Sequence, residues 1–312
     1  MNSFFLAVSV VLPLLIYMIV GMLIRRLGIL TEEHLKAMNK MIFRIMIPLA
    51  LFFNVYRADI RSAVHPGLCL YVLCCVIIIF LLLWKFTERW EKDAPTAATM
   101  VQGMYRSNFV LFGSAIAVSL CGADGQAAIA ALAAVVVPAF NILAVILFEM
   151  TKGGRIRIRK LILEIFKNPL VDAGILGILV STAKIRFPEL LITPLETIGD
   201  VATPLALVVL GGLLSAKSIS AHKWHLLLVA AFRLVIIPLA AVSAGILLGF
   251  RNDALVAILA VFASPTAVAS TPMAQAMGGN GILAGEIVAV TSAGCIVTIF
   301  LWVMALSGMG VL

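Results

Sequence analysis

The chain has 312 residues, 63% of them hydrophobic and only 12% charged, with a mean hydropathy of +1.15. Soluble domains carry about 25% charged residues, so this is the composition of an integral membrane protein. The net charge of +8 does not mark a nucleic-acid partner, because the basic residues cluster in short stretches between apolar runs, where the positive-inside rule puts them.

Hydropathy predicts ten membrane spans, at 4–24, 39–55, 67–86, 96–121, 127–149, 169–183, 195–215, 224–250, 254–277 and 282–306. Their lengths approach the ~20 residues that cross a hydrocarbon core as helix. The ten-residue alternation of membrane barrel strands is absent. The first span is read as retained, since Arg25 and Arg26 follow it and no basic residue precedes it, the reverse of a signal peptide. Fifteen lysines and arginines fall in the odd-numbered loops and five in the even-numbered ones. This bias predicts a multi-pass protein with the odd loops in the cytoplasm and both termini outside, periplasmic in a bacterial inner membrane.

The longest loop, 150–168, separates two sets of five spans, giving expected halves at 1–156 and 157–312. Sliding the chain on itself by 156 residues, half its length, aligns the halves without a gap. Pro13-Leu14 meets Pro169-Leu170, Ile19 and Gly21 meet Ile175 and Gly177, and Pro48-Leu49-Ala50-Leu51 meets Pro204-Leu205-Ala206-Leu207. An odd number of spans per half inverts the second half in the membrane. The expected fold is therefore an all-α membrane protein of ten helices in a 5+5 inverted repeat, an architecture of many secondary transporters.

Two stretches break the apolar pattern. Tyr105-Arg106-Ser107-Asn108-Phe109 lies in the fourth span and Ala263-Ser264-Pro265-Thr266 in the ninth. In the 156-residue register Asn108 meets Ser264, so the two spans are predicted to be equivalent broken helices that cross at the centre. Pro265 removes a backbone donor and clashes with the preceding turn. The first half has no proline at its break, which leaves Gly113 and the Ser107-Asn108 pair to supply it. A broken helix at mid-membrane exposes N–H groups and a positive dipole end, which suits an anion. Arg106 adds a full charge there. It either meets a substrate or pairs inside the bundle, as intramembrane charges do. Asn108, Ser107, Ser264, Pro265 and Thr266 are candidate substrate-binding residues with it.

Other polar residues receive plainer readings. Arg44 and Arg233 lie near span ends and are expected to snorkel. Asp172 and Glu286 are expected to be solvated or capping, with binding of a coupling ion as the alternative. Asn54 and Asn141 are assigned to helix–helix hydrogen bonds. The histidines His34, His65, His222 and His225 fall in loops or at span ends, and Cys69, Cys74, Cys75, Cys121 and Cys295 show no metal-ligand spacing. Gly211-Gly212 and Gly278-Gly279 are read as close packing and a tight turn. No catalytic motif or phosphate loop is present, so an enzyme or a nucleotide-driven pump is not expected. That leaves a proton or sodium gradient, or no coupling at all.

The two five-span halves, Pro48-Leu49-Ala50-Leu51, Arg106-Ser107-Asn108 with Gly113, Asn168-Pro169-Leu170 and Ser264-Pro265-Thr266 together resemble the auxin efflux carrier family. Within it the chain is most similar to bacterial permeases associated with malonate, malate and related organic anions. The resemblance implies a scaffold domain, a transport domain with two crossing broken helices, and an elevator-like shift. It carries a carboxylate-binding asparagine over to Asn108 and a second-half proline to Pro265. The family often has a proline two residues after the first crossing glycine, where this chain has Ala115. The expected function is a secondary transporter of small organic anions, with a homodimer permitted but not required. The alternatives are a sodium-coupled bile-acid-type symporter, a cation/proton antiporter and a ligand-binding membrane sensor. The absence of a carboxylate at either crossing stretch counts against the antiporter.

Overall fold

The computed structural model describes residues 2–57, 66–151, 169–214 and 216–310. The 152–168 connection, with the expected boundary at 156, lies outside the described residues, as do Arg61 and His65. The helices run α1 (Asn2–Arg26), α2 (Glu32–Arg57), α3 (Pro66–Trp90), α4 (Ala94–Tyr105), α5 (Phe109–Thr151) and α6 (Pro169–Thr182). They continue with α7 (Glu189–Leu213), α8 (Ala216–Ala221), α9 (Lys223–Leu247), α10 (Asn252–Ala263), α11 (Ser270–Met277) and α12 (Gly281–Gly308). No strand occurs among the described residues.

Among the described residues, six helices are long and apolar enough to cross a membrane: α2, α3, the Ala128–Thr151 part of α5, α7, α9 and α12. Phe109–Val118, Pro169–Thr182 and Asn252–Ala263 are shorter apolar helices. Large apolar side chains stand exposed along the outside, among them Leu70, Leu81 and Leu82 on α3, Leu227 and Leu239 on α9, and Leu301 and Met304 on α12. A face this apolar is a lipid-facing surface.

Both α2 and α7 begin earlier than hydropathy places them, at Glu32 and Glu189; α2 does so because its first turn is polar. Thr31 starts α2 with a reciprocal capping box. Its hydroxyl accepts the His34 N–H at 3.3 Å, and its own N–H donates to His34 Nδ1 at 3.4 Å. Two helices contain a π turn, Ile42–Met46 in α2 and Phe232–Ile236 in α9. Each sits just before a proline, Pro48 and Pro238. A proline ring collides with the carbonyl four residues back, and the extra residue of a π turn carries that carbonyl away.

The expected fourth and ninth spans are each two half-helices. α4 and α5 are separated by an extended segment at 106–108, and α10 and α11 by the segment 264–269. Every residue from Thr96 to Tyr105 and from Leu255 to Ala263 is buried, so α4 and α10 run through the interior. That explains why α10 is apolar on all faces after its first turn, while α4 holds Thr96, Thr99 and Gln102 in the interior. Gly113 lies inside α5 rather than at the break, packed where a Cβ would sit 3.0 Å from the Ala260 side chain. Its role is close packing of α5 on α10. The kink in α5 falls instead at Gly122, with φ 62°. The half-helices end at Tyr105 and Ala263.

Glycines set the close packing between the outer helices. A Cβ on Gly211 would lie 1.9 Å from the Met18 carbonyl oxygen, and one on Gly21 would lie 1.8 Å from that of Val208. α1 and α7 therefore touch backbone to backbone. Gly211→Ala is expected to force them apart at a cost of about 1–3 kcal/mol, read as a lower unfolding temperature in detergent. Gly67→Ala, with open space around it, is the control expected to leave that temperature unchanged. Gly278 makes the tight turn into α12 with φ 85°, and Asn280 caps that helix by accepting the Leu283 N–H at 3.0 Å.

Candidate functional site

The two extended segments meet as a short antiparallel pair at Ser107 and Thr266. Asn108 N–H donates to the Pro265 carbonyl at 2.8 Å, and Ala267 N–H to the Arg106 carbonyl at 3.1 Å. Each break thus supplies hydrogen bonds for the other. Pro265 explains the second break by its missing N–H. The first needs no breaker of its own, because its backbone groups are taken by the partner segment.

On one side of this crossing the C-terminal ends of α4 and α10 converge, and their last carbonyls lack intrahelical donors. Arg233 fills that gap. Its Nε donates to the Ser264 carbonyl at 2.8 Å. Nη1 reaches those of Met104 and Tyr105 at 3.0 and 3.1 Å, and Nη2 those of Val261 and Phe262 at 3.0 and 2.6 Å. Arg233 is fully buried, so it does not snorkel. A guanidinium has five N–H donors in one plane, and here they serve two negative dipole ends together. Thr266 extends the network. Its hydroxyl donates to the Gly103 carbonyl at 2.7 Å, and its N–H reaches Thr291 Oγ1 at 3.2 Å. The Ser264 hydroxyl donates to the Ala260 carbonyl. Ser264 and Thr266 are completely buried and neither lines the cavity, so they build the crossing.

On the other side the N-terminal ends of α5 and α11 face a cavity of about 240 Å³. Arg106, Ser107, Asn108, Asn141 and the segment 267–269 line it, closed by Asn54 and Leu51 of α2 and by Ala202, Thr203 and Ala206 of α7. Arg106 is 4% exposed. Its Nη2 donates to Asn141 Oδ1 at 2.7 Å, and its Nη1 lies 2.8 Å from Met273 Sδ. Both partners are neutral, so its positive charge is uncompensated by any carboxylate among the described residues. The Asn108 Nδ2 and Ser107 Oγ atoms are buried without hydrogen-bond partners. A pocket with a buried cation, an idle amide donor and a helix N-terminus is built to receive an anion.

Of the sequence-predicted residues, the structure brings Arg106, Ser107 and Asn108 to the cavity and places Pro265 behind them. Arg44 is exposed and Asp172 half-buried, both away from the cavity. Asn54 and Asn141 line the cavity, and Asn141 also makes the expected hydrogen bond between elements, accepting from Arg106. Glu286 is completely buried and paired with His222 at 2.7 Å, so it is neither solvated nor a cap. A polar residue inside an apolar span was the available signal for Asn141; for Arg233 the signal was proximity to Pro238, which predicts a distorted turn there.

A bundle of apolar helices around two broken, crossing helices defines a multi-pass membrane protein of the transporter type. The chain matches the family described as "Membrane transport protein" over residues 6–303 and belongs to it, the auxin efflux carrier family indicated by its motifs. It is 24% identical over 255 residues to the uncharacterized transporter MJ1031 of Methanocaldococcus jannaschii, covering 78% of this chain and 80% of that one. An uncharacterized transporter of Methanothermobacter thermautotrophicus is 25% identical over 248 residues, with 78% and 79% covered. The uncharacterized transporter YfdV of Escherichia coli is 21% identical over 313 residues, with 94% and 95% covered.

Proposed function

We propose that the chain is a secondary transporter of small organic anions such as dicarboxylates, with the substrate carboxylate held at the crossing by Asn108, Arg106 and the N-terminus of α5. The observation that carries this reading is the uncompensated Arg106 charge beside the unpartnered Asn108 amide in one cavity. A volume of about 240 Å³ is below the ~300–1,000 Å³ of pockets for drug-sized ligands. That supports a small acid over a bile-acid-sized amphiphile. Malonate and malate are the first candidates.

The mechanism we infer is alternating access of an elevator type between two inverted halves. Helix starts at Glu32, Pro66 and Ala94 are echoed at Glu189, Lys223 and Asn252, in support of the repeat. So is the packing of the shared glycines: Gly21 of α1 sits against α7, and Gly177 of α6 sits against Val55 of α2. In this reading the cavity wall from α2 and α7 belongs to the scaffold, and the crossing slides past it with the substrate. The lysine- and arginine-rich loops face the cytoplasm of a bacterial inner membrane, with both termini outside.

Thermal stabilisation of the purified protein against dicarboxylates, monocarboxylates and aromatic acids tests the substrate class. A ligand at a hundredfold excess over its dissociation constant is expected to stabilise by about 2.7 kcal/mol. A response to bile acids with none to small acids would overturn the proposal.

A further inference from the structure

A carrier that concentrates its substrate needs a driving ion. The carbonyl cluster at the crossing, which would otherwise attract a cation, is already neutralised by Arg233. A second buried polar cluster lies on α12. We propose that Glu286 and His222 form a proton-binding site that couples anion transport to protons, an inference that rests on the carrier reading above.

Glu286 is 0% exposed, and its Oε2 lies 2.7 Å from His222 Nδ1. Its Oε1 is also buried and has no hydrogen-bond partner. A carboxylate removed from water must be paired or protonated. Lysine or arginine would fix it as an ion; histidine can surrender its proton near neutral pH. The pair therefore holds one proton on either group without net charge, as carboxylate with imidazolium or as acid with imidazole.

His222 stands at the start of α9 with its side chain 25% exposed, so water reaches it. A second pair of the same kind stands outside it. His225 Nε2 lies 2.8 Å from Glu91 Oε2, and the two histidine rings are 6.0 Å apart. Glu91 lines a hollow at this aqueous end of the bundle. Burial raises its proton affinity, but the Asp93 N–H and His225 together hold it below the usual carboxylate range. Titratable groups thus run inward from Glu91 through His225 and His222 to Glu286. Uptake is a single proton relay from neutral imidazole and carboxylate: hydronium gives a proton to His222 Nε2, breaking its O–H bond as an N–H bond forms, and the Nδ1 proton passes to Glu286 Oε2, breaking an N–H bond as an O–H bond forms. His222 is left as neutral imidazole protonated on Nε2, and release reverses both transfers.

Other ionisable groups stand on the elements packed against α12. α11 and α7, packed against α12 near Gly285, carry no ionisable residue in that register, and α4 has only Tyr105, whose hydroxyl is engaged by the Phe140 carbonyl. From α9, besides His225, come Lys223, whose ammonium sits over the Trp224 ring, and the carbonyl-bound Arg233. The remaining ionisable groups on packed elements are Tyr17, Arg25 and Arg26 of α1, Asp253 of α10, and Glu149 of α5, with Lys217 on α8.

Glu286 is joined to the crossing through its own helix. It lies about one and a half turns from Thr291, which accepts the Thr266 N–H. Next to it, Ile287 packs on Gly103 of α4. The neighbouring Gln102 passes its carbonyl to the Arg106 N–H while its own amide atoms are buried without partners.

The test compares wild type, Glu286→Gln and His222→Asn in proteoliposomes, with labelled malonate and malate as probes. Exchange against internal substrate needs no driving ion; accumulation under an imposed pH gradient does. Wild type is expected to do both, and Glu286→Gln to keep exchange within about twofold while losing gradient-driven accumulation at least tenfold. His222→Asn, milder in the core, is expected to slow accumulation. Variants that accumulate as wild type does would overturn the proposal. If wild type exchanges no acid, the carrier reading fails, and infrared titration decides the proton site alone. A protonated carboxyl band that titrates in wild type and vanishes in Glu286→Gln supports it; its absence from wild type overturns it.

Discussion

Replacing Arg233 with methionine is expected to be the most damaging single change in the chain. The side chain donates to five carbonyls from two helix ends, and methionine fills much of the same space with no donor. Each buried acceptor left without a partner costs about 1–3 kcal/mol. These costs are not additive, but even partial summation passes the ~4–5 kcal/mol that marks exceptional mutants. The two negative dipole ends would also face each other without a counter-charge. The expected result is loss of monodisperse protein on size exclusion. Arg233→Lys keeps the charge but offers three donors from one point, so a folded, strongly destabilised protein is expected. Arg233→Met that melts and exchanges substrate as wild type does would show that the crossing is held by packing alone.

Much of the architecture was legible in the sequence because a membrane restricts the choices. Once composition demands helices, polar and helix-breaking residues at mid-span can only be sites or joints, and Arg106, Asn108 and Pro265 stand out on that ground. What the sequence concealed is which way a side chain turns once helices pack. Arg233 and Glu286 both lie close enough to span ends that hydropathy assigns them to water. The π turn before Pro238 and the fold of α12 against α4 put them inside. Of the two suppliers expected for the first break, the Ser107-Asn108 pair lies in it and Gly113 lies one turn inside α5. The sequence of that half does not show that the antiparallel pairing with the Pro265 segment takes up its backbone groups. Ser264 and Thr266 looked like ligand donors for want of any view of the orphan carbonyls they serve. The same blindness to tertiary partners hid Asn141, whose amide oxygen orients the Arg106 guanidinium.

Asn108→Ala separates the binding reading from a merely structural one. The backbone bond from Asn108 N–H to the Pro265 carbonyl survives the change, and the amide Nδ2 that is lost has no partner to abandon. Unfolding temperature without ligand is therefore expected to move little. A hydrogen bond to a charged group contributes about 1.5–3 kcal/mol, so carboxylate affinity should fall roughly 10- to 150-fold, with uptake falling alongside. Asn108→Asp should do worse, because it brings a negative charge to the helix end that would receive the substrate. Thr266→Val provides the contrast. Its hydroxyl donates to the Gly103 carbonyl, so its loss should lower stability while leaving affinity near wild type in the folded fraction. The opposite pattern, unchanged uptake in Asn108→Ala and lost affinity in Thr266→Val, would move the substrate to the Arg233 side of the crossing and leave Arg106 a structural cation held by Asn141.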